Sequence, residues 1–224
     1  MGPHDSIVPQ AATRLGADRV YVVDDDPAVR RALTRLLRNR GFPTTSFGSA
    51  EELLAAGQPD DAPTCLVVDL RMPGLSGLEL QDLLLQQGLD MAMIFISGRA
   101  SLESGIQAMK GGAVDFLEKP VSDETLLPAV RRALDQARRR RDRRSDRAAL
   151  QVRYDTLTPR ERDVFRLIVT GLLNKQVGAE LGAAEKTIKV HRARVMNKME
   201  AGSLVELVRM ADTLGRPNAA VDHS

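Results

Sequence analysis

The chain has 224 residues, 43% of them hydrophobic, with one cysteine and no tryptophan. That is enough for one large domain or two modest ones, and it leaves no internal disulfide. No apolar run approaches the length of a membrane span, and the start (Met1 to Ser6) lacks the charged and apolar regions of a signal peptide, so the protein is expected to be cytoplasmic with no membrane partner.

The net charge of +2 hides an asymmetry. Residues 1–135 hold 13 Lys/Arg against 19 Asp/Glu, a net of −6, and residues 136–224 hold 19 against 11, a net of +8. An acidic front and a basic back point to different partners, a metal for one and nucleic acid for the other.

In chain order, Val20–Val23 reads as a strand. Asp26 can cap the following helix with Pro27 at its first position, and Val29, Leu33, Leu36 and Leu37 form one apolar face before Gly41 ends it. Thr44–Phe47 is a second, weaker strand, and Ser49 with Glu52 reads as a capping box opening a second helix. Cys65–Val68 is a strand with a buried cysteine, and it leads to Arg71-Met-Pro-Gly74, where Pro73 and Gly74 suit a tight turn. Leu78–Leu85 is helical, Met93–Ile96 a strand, Leu102–Met109 a helix and Val114–Leu117 a strand. Ser122 or Asp123 starts the next helix, whose stripe of Leu127, Val130, Leu134 and Ala137 fades into an arginine-rich run through Arg144. Five βα units without hairpin signals predict a five-stranded, doubly wound parallel sheet of flavodoxin-like type.

Regular structure reopens at Thr158-Pro159-Arg160-Glu161, an N-cap, a first-position proline and the partner of a capping box. Helices follow near 159–170, 174–182, 185–199 and 203–214, with Gly171 and Gly182 at the first two boundaries. The second half is therefore an all-α, four-helix unit. The expected division is a disordered extension at 1–18, an α/β domain at 19–135, a helical basic linker at 136–153, the helical domain at 154–216 and a disordered tail at 217–224.

Each predicted strand except the second ends on a residue suited to phosphate or metal: Asp24-Asp25-Asp26, Asp69, Ser97 and Glu118-Lys119. In an open parallel sheet the carboxyl ends of the strands share one edge, where ligands bind. Asp26 reads as a helix cap rather than a ligand. Crowded carboxylates stay ionised only with a compensating cation, and Mg²⁺ takes oxygen ligands while retaining several waters, so two or three carboxylates suffice.

Val22-Val-Asp-Asp-Asp26, Val68-Asp-Leu-Arg-Met-Pro-Gly74, Ile96-Ser-Gly98 and Asp115-Phe-Leu-Glu-Lys-Pro120 resemble, in order and placement, the receiver domain of two-component response regulators. The resemblance implies Asp69 as phosphoacceptor. It implies Mg²⁺, with Mn²⁺ as a substitute, held by Asp24, Asp25, Asp69 and the backbone carbonyl of Arg71. It also implies Ser97 and Lys119 on the phosphoryl oxygens, Phe116 at the aromatic switch position and a cis Lys119–Pro120 bond.

Leu157-Thr-Pro-Arg-Glu161, Gly171-Leu-Leu-Asn-Lys-Gln-Val177 and Lys186-Thr-Ile-Lys-Val-His-Arg-Ala-Arg-Val-Met196 resemble the LuxR-type helix-turn-helix of the FixJ/NarL family, nearest its FixJ branch. The lengths suit a short helix, a turn near Gly182 and a longer basic helix for a major groove. Asn174, Lys175, Lys186, Thr187, Lys189, Val190, Arg192 and Arg194 are the candidate DNA contacts. The resemblance implies Lys189 and Val190 at base edges, with Ala193 at a third reading position too short to hydrogen-bond. It implies Lys175 and Arg194 as phosphate anchors that position the helix without reading sequence. Ala184 departs from the family, which often has a serine cap there, a loss of about 1 kcal/mol. His191 has no His or Cys partner at ligand spacing and reads as a packing residue.

The implied function is a transcription regulator, not an enzyme, that accepts a phosphoryl group from a histidine kinase, dimerises and binds double-stranded DNA to act on RNA polymerase. A phosphatase with an aspartyl nucleophile is one alternative, and it wants a second acid two residues beyond Asp69, where Arg71 stands. An orphan regulator that binds DNA without phosphorylation is the other.

Overall fold

A computed structural model of the chain describes residues 18–57, 62–89, 91–98 and 102–215. The expected extension and tail lie outside the described residues, Asp18 excepted. The chain divides into two compact units between Arg141 and Asp142.

The first unit carries β1 (Arg19–Val23), α1 (Pro27–Asn39), β2 (Thr44–Phe47), α2 (Ala50–Ala55), β3 (Thr64–Asp69), α3 (Gly77–Gln86), β4 (Ala92–Ser97), α4 (Leu102–Lys110) and β5 (Asp115–Glu118). The strands form one parallel sheet in the order β2-β1-β3-β4-β5, as the five βα units predicted. Side chains alternate along each strand. Val20, Val22, Cys65, Val67, Ile94 and Ile96 pack with Leu33 and Leu37 of α1, and Tyr21, Val23, Leu66, Val68, Met93 and Phe95 pack with α2, α3 and α4 on the other face. Because both faces are covered, β3 and β4 are buried along their whole length, which is why they read as unbroken apolar runs rather than alternating ones. Burial pushes the Cys65 thiol pKa well above its ordinary range.

Local signals set most boundaries. Asp26 caps α1 by accepting from Ala28 N at 2.7 Å and Val29 N at 3.3 Å, with Pro27 in the first turn. Ser49 caps α2 through Glu52 N at 3.2 Å, but the expected reciprocal bond is not made. The Glu52 carboxylate reaches one residue further back, to Gly48 N, because the chain bends there toward the helix. Ser76 and Glu79 form a full capping box on α3 that the sequence reading overlooked. β5 runs one residue later than expected, since Val114 N bonds Met93 O at the mouth of the ladder and Glu118 pairs with Ser97 at its end.

α5 (Asp123–Asp155) is a single helix of 33 residues that crosses the division between the units. The face it buries is Leu126, Ala129, Val130, Ala133 and Leu134, while the expected Leu127 and Ala137 lie at its margin. Arg138 on this helix pairs with the buried Asp18.

The second unit contains α6 (Pro159–Ile168), α7 (Asn174–Leu181), α8 (Glu185–Met199) and α9 (Leu204–Thr213), close to the four expected ranges. Its core gathers Tyr154, Leu157, Val164, Phe165, Ile168, Val177, Ile188, Val195, Met199 and Leu207. Thr158 and Glu161 form the expected capping box. Among the described residues, no helix is long and apolar enough to cross a membrane.

Candidate functional site

The sheet register brings the ends of four strands to one edge, and each contributes a polar side chain. Asp24 follows β1 and is fully buried. Its amide donates to Phe47 O, and its Oδ1 accepts from Asp26 N at 2.9 Å. Asp69 ends β3, is 8% exposed, and accepts from Arg71 N at 3.1 Å. Ser97 ends β4 and is buried. Lys119 follows β5, tied back by its amide to Ser97 O at 2.8 Å and followed by a cis Lys119–Pro120 bond.

These groups converge. Lys119 Nζ donates to Asp24 Oδ2 at 2.7 Å and to Asp69 Oδ2 at 2.6 Å. Asp24, Asp25 and Asp69 each place a carboxylate oxygen within 4.8 Å of the others. Burial raises the Asp24 carboxyl above its ordinary value, and the ammonium of Lys119 only partly offsets this. Burial works against the Lys119 ammonium too, but bonds from Asp24 and Asp69 outweigh it and the net shift is upward. Three carboxylates thus lie around one ammonium, which bonds two of them, and the negative charge left over is what a divalent cation would balance. An all-oxygen donor set of this size fits Mg²⁺ or Mn²⁺.

Phe116 is half-buried on β5, opposite Phe95 in register, and packs against the core on the α2–α4 side. Two contributors to this edge were not foreseen. Arg30 on α1 donates to Asp24 O at 2.6 Å, pinning the backbone of the acidic run, and Glu51 on α2 accepts from Leu75 N at 2.9 Å in the loop after β3. Neither stands at a spacing that marks it in sequence, because each meets its partner only through the fold.

In the second unit, α8 buries Ile188, Val195 and Met199 and exposes Lys186, Thr187, Lys189, Val190, Ala193 and Arg194. Lys175 is exposed in the first turn of α7. Arg192 is different. It is half-buried, and its Nη1 donates to Asn174 Oδ1 at 3.3 Å, so these two candidates bind α8 to the start of α7. Ala184 supplies no side-chain cap. The turn is nonetheless close-packed: Gly182 has φ 61°, Arg160 donates to Leu181 O at 2.6 Å, and a Cβ on Gly178 would lie 2.6 Å from Ala183 O. His191 is half-buried, and its Nδ1 is shielded without a hydrogen-bond partner among the described residues.

An acidic pocket at the carboxyl edge of a doubly wound sheet, joined in one chain to a basic helix behind a tight turn, defines a class. Residues 20–131 match the response regulator receiver domain, and residues 155–211 match the luxR family of bacterial regulatory proteins. The chain belongs to the response regulators that join a receiver domain to a LuxR-type DNA-binding domain, a family of phosphorylation-controlled transcription regulators.

Particular relatives agree. The chain is 49% identical to nodulation protein W of Bradyrhizobium diazoefficiens, over 88% of this chain and 86% of that one. It is 44% identical to the transcriptional regulatory protein FixJ of Azorhizobium caulinodans, over 86% of this chain and 90% of the other. The solved structure of the response regulator StyR superimposes with a TM-score of 0.74 at 40% identity, covering 88% of this chain and 98% of that one.

Proposed function

We propose that Asp69 is the phosphoacceptor of this regulator and that Asp24, Asp25, Asp69 and the Arg71 carbonyl hold Mg²⁺, or Mn²⁺ in its place. The observation that carries the reading is the meeting of Asp24, Asp69 and Lys119 within 2.7 Å contacts at one strand edge. When bound, the cation supplies positive charge against the carboxylates and the incoming phosphoryl oxygens.

An Asp69 oxygen attacks the phosphorus of a kinase phosphohistidine. The O–P bond forms as the P–N bond breaks, and the departing nitrogen keeps the electron pair and is reprotonated. Lys119, already 2.6 Å from Asp69, follows the negative charge onto the phosphoryl oxygens, and Ser97 donates a hydrogen bond to them. Phe116 has no hydroxyl and responds by repacking alone. The two states differ in these contacts, and that difference is what shifts the protein toward a homodimer.

The dimer presents two copies of α8 to a two-part DNA site. Lys189 and Val190 read base edges, and Lys175, Lys186, Thr187 and Arg194 contact the backbone, while Asn174 and Arg192 support the helix start. RNA polymerase is the downstream partner, in the cytoplasm, and the protein's only chemistry is its own phosphorylation and dephosphorylation. The working domain limits are 19–135 for the receiver, 136–153 for the linker and 154–216 for the DNA-binding domain.

The test is Asp69→Asn with acetyl phosphate and Mg²⁺. The variant is expected to take up no label, and footprinting on genomic DNA is expected to show phosphodonor-dependent protection for the native chain only. Label persisting at another residue removes Asp69 from the role.

A further inference from the structure

The loop between β3 and α3, residues 70–76, carries the Arg71 carbonyl; Arg71 N bonds Asp69 Oδ1 at 3.1 Å, and Met72 is buried in the core with Leu75 packed against it. Its ends are fixed: Leu70 N bonds Ile96 O at 2.9 Å, Gly77 N bonds Leu70 O at 3.1 Å, and Ser76 is locked by the α3 capping box. The middle contains Gly74 at φ 74°, a residue with unusually wide conformational freedom. Glu51 reaches this middle from the first turn of α2, a different βα unit. Its Oε1 accepts from Leu75 N at 2.9 Å and sits where a Gly74 side chain would stand, 2.5 Å from an ideal Cβ. The bond to Leu75 N holds the Glu51 carboxyl below its ordinary range. Its neighbour Glu52 turns the other way, to Gly48 N.

We propose that Glu51 is a positioning residue for the cation site: by clamping Leu75 N beside the side-chain-free Gly74, it fixes the loop that presents the Arg71 carbonyl to Mg²⁺. It touches neither metal nor phosphate. The proposal rests on the assignment of that carbonyl as a ligand. A group that orients a ligand in this way changes metal affinity on the order of tenfold when removed. It leaves the chemistry at saturating metal alone, because the ligand is still present and the cation restores its place.

The experiment uses the full chain, with Mg²⁺ binding followed by calorimetry and the rate of phosphorylation by acetyl phosphate measured across Mg²⁺ concentrations. Glu51→Ala is expected to raise the Mg²⁺ concentration for half-maximal rate about tenfold and weaken Mg²⁺ binding in parallel, with the maximal rate unchanged. Glu51→Gln keeps an acceptor oxygen at the same reach and is expected to stay near the native protein. Glu51→Asp keeps the charge but falls a methylene short, and is expected to behave as the alanine variant does. If Glu51→Asp matches the native chain while Glu51→Gln does not, charge alone is acting and the clamp is overturned; native-like Mg²⁺ dependence in Glu51→Ala overturns it as well. Should Glu51→Ala not fold, the Gln and Asp variants decide the matter between them. Failure of the underlying site looks different: the native chain then binds no Mg²⁺, and Asp24→Asn changes nothing.

Discussion

Lys119 Nζ lies 2.6 Å from Asp69 Oδ2, so the ammonium rests on the carboxylate proposed as phosphoacceptor. The same ammonium bonds Asp24, and it therefore competes with any cation for two of the three acids in the pocket. Removing it has opposite effects on two measurements. In Lys119→Met, Mg²⁺ binding measured by calorimetry is expected to tighten on the order of tenfold, since a nearby like charge is gone. Acetyl phosphate labelling of Asp69 is expected to fall, since the phosphoryl oxygens lose a partner. Unchanged Mg²⁺ affinity would show that the ammonium does not compete.

In the second unit, Glu161 gives a pH signature. It is 2% exposed, accepts from Thr158 N at 2.9 Å and pairs with Lys198 Nζ at 2.6 Å, joining the start of α6 to the end of α8. Burial alone would raise its carboxyl, but the bonds from Lys198 and Thr158 prevail and hold it below the ordinary value of 4.5. A carboxyl depressed in the folded state adds stability that is complete above its unfolded pKa and is lost as pH falls through the folded one. Hydrogen exchange of α6 and α8 amides is expected to show native protection at neutral pH that declines below about 4.5. Glu161→Gln is expected to lose about 2 kcal/mol at neutral pH and to flatten that acid limb. A variant with the native acid profile would place the acid sensitivity elsewhere.

Much of this architecture was legible because its signals are local. Asp26-Pro27 and Thr158-Pro159 mark helix starts by the hydrogen bonds their side chains make within a turn, and the apolar runs of β3 and β4 report burial on both faces. Asp24, Asp69, Ser97 and Lys119 were legible because a parallel sheet puts all strand carboxyl ends on one edge. The Glu52 bond to Gly48, the Arg30 bond to Asp24 O and the Glu51 bond to Leu75 were not, since a side chain's choice among nearby amides and carbonyls depends on loop paths that no spacing encodes. Arg192 shows the same limit: its bond to Asn174 depends on how α8 meets the start of α7, which no spacing encodes.

Glu200 ends α8 in the left-handed region at φ 56°, the one described non-glycine residue there. Its carboxylate pairs with Arg153 at 2.7 Å, but both side chains are substantially exposed, at 65% and 35%. An exposed pair of that kind is worth about 0.5 kcal/mol, whereas a side chain in this conformation costs about 1 kcal/mol relative to glycine. Glu200→Gly is therefore expected to stabilise the second unit by about 0.5 kcal/mol in urea titrations. Destabilisation would mean that the Arg153 bridge outweighs the backbone term.

Lys175 and Lys189 are both exposed, one at the start of α7 and one on the open face of α8, and they are expected to fail differently when removed. Lys175 is proposed to meet a phosphate together with the helix amides, a contact that carries no sequence information. Lys175→Ala is expected to weaken binding to all sequences alike and to reduce the slope of log affinity against log salt by about 0.9. Lys189 lies one helical turn from Ala193 and beside the exposed Val190, on the surface proposed to enter the groove. Lys189→Ala is expected to cost about 1–3 kcal/mol at one base position only, seen as relaxed preference there in a selection from random DNA. If the base preference survives Lys189→Ala intact and the salt slope alone changes, Lys189 is a second phosphate anchor, and reading falls to the other exposed residues of α8.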